Sequence, residues 1–118
     1  MKNMVAEMSA EQIRNLEKLL GTPRDGALLR YALGNAYLKA GQTERALEQL
    51  REALARDPRH SAAWKALGTA FAEAGRETEA LESWRQGIAA AHEKGDRQAE
   101  KEMAVFVRRL EKKLGAAD

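Results

Sequence analysis

His60 and His92 are the two imidazoles of the chain, and each would need a partner to act as a general base or a metal ligand. They stand far from helical spacing with one another, and only Glu93 adjoins His92, so surface roles are expected for both. A nucleophile is equally hard to assemble. Of the serines, Ser9 and Ser61 read as helix N-caps, and neither they nor Ser83 sits in the strained elbow that exposes a catalytic hydroxyl. The glycines are isolated and do not form a phosphate-cradling loop. With no cysteine, disulfides, thiolate metal sites and sulfur nucleophiles are all removed, which is compatible with a reducing cytoplasm. The expectation is a protein that is not an enzyme and holds no metal or cofactor.

The charged residues point to solvated helix faces. Glu44, Glu48, Glu52, Glu73, Glu77, Glu79 and Glu82 recur at helical spacing, and Arg51 and Arg85 follow Glu48 and Glu82 by three residues, as weak surface ion pairs do. Arg108, Arg109, Lys112 and Lys113 form a basic end that complements a helix dipole and keeps the terminus soluble, with a nucleic-acid or phospholipid patch as the alternative reading. Lysine and arginine number 20 against 18 acids, a net charge of +2, although the sequence pI is about 9.0. Near balance argues against a dedicated nucleic-acid binder. No run approaches the roughly 18 to 20 apolar residues of a membrane span. Met1 to Met8 lacks the apolar core of a signal peptide, so a cytoplasmic protein is expected, with no nucleic acid or membrane partner.

The elements that position these residues are helical. Ala, Leu, Glu, Arg, Lys and Gln dominate, and only two prolines occur. Sliding the chain on itself by 34 residues pairs Ala32 with Ala66, Leu33 with Leu67, Gly34 with Gly68, Ala36 with Ala70, Ala40 with Ala74 and Gly41 with Gly75. The same register pairs Ala46 with Ala80, Leu47 with Leu81, Glu48 with Glu82 and Arg51 with Arg85, while Tyr37 meets Phe71 and Leu54 meets Ile88. A fixed period of this length marks a repeat architecture. Each unit reads as two antiparallel helices, the first stopped by Gly41 or Gly75 in a left-handed C-cap. Gly34 and Gly68 stand in mid-helix, where glycine costs about 1 kcal/mol against alanine, so close approach of a partner helix is expected there. Asp57 and Pro58 end the second helix of the first unit.

Leu33, Gly34, Tyr37, Ala46, Leu50, Ala53 and Pro58 in the first unit, and Trp64, Leu67, Gly68, Phe71, Ala80 and Trp84 in the second, resemble the tetratricopeptide repeat signature. Arg30, Gly87 and His92 depart from it, where a large apolar residue, alanine and proline are usual. The missing proline predicts a helix running on toward Lys94. The resemblance implies an all-α right-handed superhelical stack of about six helices in a single domain over 1–118. The layout is an N-terminal half-repeat helix at 9–20, repeats at 27–60 and 61–94, and a capping helix at 96–114. Ser9 to Gln12 reads as a capping box, with Ile13, Leu16, Leu19 and Leu20 behind it. Ala99, Met103, Phe106, Leu110 and Leu114 form the apolar stripe of the capping helix.

In that family the first helices of successive repeats line a concave groove for protein or peptide partners. Carried over, this places Leu28, Tyr31, Asn35, Leu38 and Lys39 of the first unit, and Ala62, Lys65, Thr69, Ala72 and Glu73 of the second, along such a surface. Some members clamp a C-terminal carboxylate with lysine and asparagine; here Asn35 matches, while Tyr31 and Ala66 replace the other expected residues. Tyr31 and Leu38 could equally be buried against the N-terminal helix. A second surface is offered by the last helix, where Ala104, Val105, Phe106 and Val107 cover more of its circumference than one core face needs. An adaptor binding a protein or peptide, as a monomer or weak homodimer, is the first expectation; a structural unit self-associating through the last helix is the alternative.

Overall fold

A computed structural model of the protein describes residues 3–116, which form six helices and no strand. They are α1 (Asn3–Glu17), α2 (Ala27–Lys39), α3 (Thr43–Arg56), α4 (Ser61–Glu73), α5 (Glu77–Lys94) and α6 (Arg97–Ala116). The chain divides into two compact units, one ending at Asp57 and the other beginning at Pro58.

In the first unit α2 and α3 pair closely, with α1 against α2. Leu33, Leu47 and Leu50 are wholly enclosed, and Ala46 and Ala53 keep the helices near one another. Gly34 is what lets them approach: a Cβ there would lie 2.6 Å from Leu50 Cγ and 3.3 Å from the Ala46 carbonyl. The turn that reverses the chain closes on Gly41, whose φ is +77°. Gln42 N–H donates to the Tyr37 carbonyl at 2.9 Å and Gly41 N–H to Leu38 at 3.1 Å, the paired bonds of a Schellman stop.

α1 differs from the helix expected over 9–20. It begins by Asn3, so Ser9 lies inside it and is not a cap. Met4, Ala6, Glu7 and Met8 are acceptable helix residues, and extending a helix upstream is easier than nucleating one. At the other end the helix stops at Glu17. Leu19 and Leu20 continue in tighter turns, their N–H groups reaching the Leu16 and Glu17 carbonyls, before Gly21 reverses the backbone at φ +78°.

The second unit repeats the hairpin and adds α6, packed along α5 and touching α4. Arg76 N–H reaches the Phe71 carbonyl at 2.8 Å beyond Gly75, and Asp96 N–H reaches Ala91 at 2.9 Å beyond Gly95. α5 runs to Lys94, as the missing proline predicts. Its N-terminal neighbour is capped differently from expectation. His60, not Ser61, caps α4, its Nδ1 accepting from Ala63 N–H at 3.1 Å, while Ser61 is buried in the first turn. The imidazole reaches a free helix N–H as a serine hydroxyl does, which satisfies the same orphan donor. Asp96 caps α6 by accepting from Ala99 N–H at 3.1 Å.

Candidate functional site

The second unit carries two tryptophans whose placement follows from two glycines. Trp84 of α5 lies over Gly68 of α4, where a Cβ would fall 2.7 Å from the indole Cε2. With that space open, Trp84 Nε1–H donates to the Lys65 carbonyl at 3.1 Å, and the ring is 7% exposed. Trp64 sits beside Gly87, whose missing Cβ would also meet the Met103 sulfur of α6, and its Nε1–H donates to the Pro58 carbonyl at 2.8 Å. Met103 is fully enclosed.

Phe106 of α6 then leans on Trp84, ring centroids 5.2 Å apart and tilted by 50°. The two rings, with Ala72, are shared by two adjoining recesses between α4 and α6. One, of about 350 Å³, is bordered by Thr69 and Glu73. The other, of about 270 Å³, is bordered by Glu77, Arg109, Leu110 and Lys113. Together they make a shallow groove with an aromatic floor and a charged rim. Ion pairs tie its walls: Lys65 Nζ to Glu102 at 3.2 Å, and Lys113 Nζ to Glu77 at 2.5 Å. Thr69 turns its hydroxyl to the Lys65 carbonyl at 3.1 Å.

Thus Thr69 and Glu73, read as one surface from the sequence, and Phe106, read as part of another, border one groove, while Lys65 of that first surface lines neither recess and pairs with Glu102 of α6. Val105 is half-buried. Val107 is 8% exposed, so it belongs to the packing of α6 and does not offer the free apolar surface expected of it. Leu28, Tyr31, Asn35, Leu38 and Lys39 lie along α2 in the first unit; Leu28 is 73% exposed, Lys39 is exposed, and Tyr31, Asn35 and Leu38 are half-buried. The sequence placed Trp84 in the repeat signature and Arg109 and Lys113 in a basic helix end, and did not join any of them to a groove. Phe106, Arg109 and Lys113 do recur at i, i+3 and i+7, the signal of one helix face, but which face meets α4 depends on how α6 docks.

Two polar clusters lie outside this groove. In the first unit Arg30 clasps Asp25 through Nε at 2.9 Å and Nη2 at 3.0 Å, and reaches Gln49 at 3.1 Å. The guanidinium hydrogen bond, with one from Gly21 N–H, lowers the Asp25 carboxyl from 3.8 to about 2. Nearby, burial and donation of its hydroxyl to Glu17 at 2.5 Å push the Tyr37 phenol up. In the second unit, His92 Nδ1 lies 3.2 Å from Glu100, beside Arg97 and Lys101 in an open recess at the α5–α6 turn. Among the described residues no three histidine or carboxylate side chains converge as a metal site.

The family profile described as Tetratricopeptide repeat matches residues 31–96, more than half of the chain. The chain belongs to the tetratricopeptide repeat family. This TPR chain is 50% identical over 100 residues to the TPR repeat-containing protein PA0015 of Pseudomonas aeruginosa, covering 85% of itself and 95% of that protein. The solution structure of protein BPP2914 from Bordetella parapertussis is similar at a TM-score of 0.76 and 42% identity, over 86% of this chain and 88% of that one. The Sgt2 TPR domain from Aspergillus fumigatus, 24% identical, shares the fold with a TM-score of 0.80 over 98% of this chain and 74% of that one.

Two of the three departures from the TPR signature, Arg30 and Gly87, have structural reasons. Arg30 stands at the repeat position of Trp64, and its bonds to Asp25 and Gln49 satisfy a half-buried cation where the second repeat has an indole. Gly87 replaces alanine where Met103 and Trp64 converge.

Proposed function

We propose that this TPR protein is a cytoplasmic adaptor whose α4–α6 groove receives an apolar side chain of a protein or peptide segment. TPR domains generally mediate protein–protein interactions, and the family's members are generally interaction modules, not enzymes. The observation that carries the reading is the recess over Trp84 and Phe106, an aromatic floor of the kind that supplies most of the energy at interfaces, set between charged walls. No helix among the described residues is long and apolar enough to cross a membrane.

The test is selection of displayed peptides on the wild-type protein, followed by binding to an Ala72→Arg variant. Ala72 is half-buried at the groove wall, so a long side chain there obstructs the recess while reaching solvent with its head. Selected peptides should bind wild type and lose at least about tenfold in affinity to the variant, roughly 1.4 kcal/mol, with its melting unchanged. Peptides that bind both proteins equally would place the working surface elsewhere. Self-association through Val105, Phe106 and Val107 is the weaker alternative, since Phe106 and Val107 are engaged within the unit. Sedimentation across a concentration series checks it.

A further inference from the structure

The charges around the groove describe its occupant more closely than its shape does. On α4, Lys65, Thr69 and Glu73 follow one another at i, i+4 and i+8; on α6, Glu102, Phe106, Arg109 and Lys113 occupy i, i+4, i+7 and i+11. Lys65 and Glu102 neutralise one another. Lys113 is neutralised by Glu77 of α5. Glu73 and Arg109 are different. Both are exposed, both border the recesses that share Trp84 and Phe106, and neither has an ion-pair partner among the described residues. The groove therefore presents one unpaired carboxylate on its α4 wall and one unpaired guanidinium on its α6 wall, with the aromatic floor between them.

A segment carrying charges of one sign would meet repulsion at one wall or the other, and an uncharged one would leave both groups without a counter-ion. Resting on the groove reading above, we propose that the natural occupant is a bipolar peptide segment. A large apolar side chain seats on Trp84 and Phe106, a basic residue faces Glu73, and an acidic residue faces Arg109. In an extended segment, alternate residues share one face, so the pattern charge, spacer, anchor, spacer, opposite charge presents all three groups together.

The probes are four acetylated, amidated peptides built as X-Gly-Phe-Gly-Z, with X and Z being lysine and aspartate, two lysines, two aspartates or two glutamines. Binding is read at low salt from the indole N–H resonance of Trp84, with that of Trp64 as an internal reference. Because the first peptide can lie in either direction, the comparison does not depend on its orientation. Wild type should bind the bipolar peptide about fivefold more tightly than each of the others, the range of one or two exposed charge pairs. Glu73→Lys should shift the preference to the doubly acidic peptide, and Arg109→Glu to the doubly basic one, with melting unchanged. Equal affinity for all four would overturn the bipolar occupant and leave the apolar groove standing. A wild-type preference for the doubly acidic or doubly basic peptide would overturn it in favour of a partner of single charge. No response at Trp84 to any of them at millimolar concentration would overturn both readings.

Discussion

At the scale of single residues, the absence of a side chain decides as much as its presence. Alanine is the better helix former by about 1 kcal/mol, so Gly68→Ala in isolation should stabilise α4. Against that, the added Cβ would press into the Trp84 indole, whose hydrogen bond to Lys65 fixes it in place. We expect Gly68→Ala to lose about 1–3 kcal/mol on balance, measured as a lower urea midpoint, because overpacking outweighs propensity. Asp25 provides a second prediction at this scale. Its folded pKa of about 2 lies below the ordinary 3.8, so the Arg30 clasp stabilises the fold above the ordinary carboxylate range and that support is lost as pH falls through about 2. The stability gap between wild type and Asp25→Asn should therefore stay constant from pH 7 to about 5, then narrow and close near pH 2. A gap independent of pH would show that the carboxylate charge contributes nothing.

At the scale of elements, α6 is held by its buried side chains, Met103, Val107 and Leu110, of which Met103 is fully enclosed, and by a set of exposed pairs. Met103 fills the notch left by Gly87, beside Trp64. Met103→Ala should cost about 2–5 kcal/mol, the range for truncating an enclosed apolar side chain, and hydrogen exchange should show the loss concentrated in α5 and α6. The surface pairs count for less. Arg85, expected to pair with Glu82 along its own helix, reaches Glu111 of α6 at 2.5 Å, while Glu82 accepts from Gln86. Both Arg85 and Glu111 are about half exposed, so Arg85→Ala should change stability by less than about 1 kcal/mol in thermal melts.

For the whole molecule, the division into two compact units sets how it responds to truncation. Helix pairs of this kind cannot enclose their apolar faces alone, and arrays need neighbours or caps. Removing residues 96–118 would uncover the Trp84 ring, the Gly87 notch and the wall of α5 behind them. The truncated chain should lose cooperative melting and bind a hydrophobic dye; an unchanged, sharp thermal transition would show that α6 is dispensable to the fold.

Sequence alone determined the repeat, because its period, the paired glycines and the helix-forming composition are local properties. Gly41 and Gly75 could be read as stops since only glycine enters left-handed backbone easily, and α5 could be extended to Lys94 since nothing in its sequence breaks it. The start of α1 and the cap of α4 were missed because helix ends depend on which polar group reaches a free N–H first, and His60 does so ahead of Ser61. The groove was legible only in halves. Thr69 and Phe106 are 37 residues apart, and nothing in the periodicity of either helix says that they border one recess. That depended on tertiary structure: Met103 seats α6 against Gly87, this rotates Phe106 onto Trp84, and side chains from three helices then converge where the sequence showed separate surfaces.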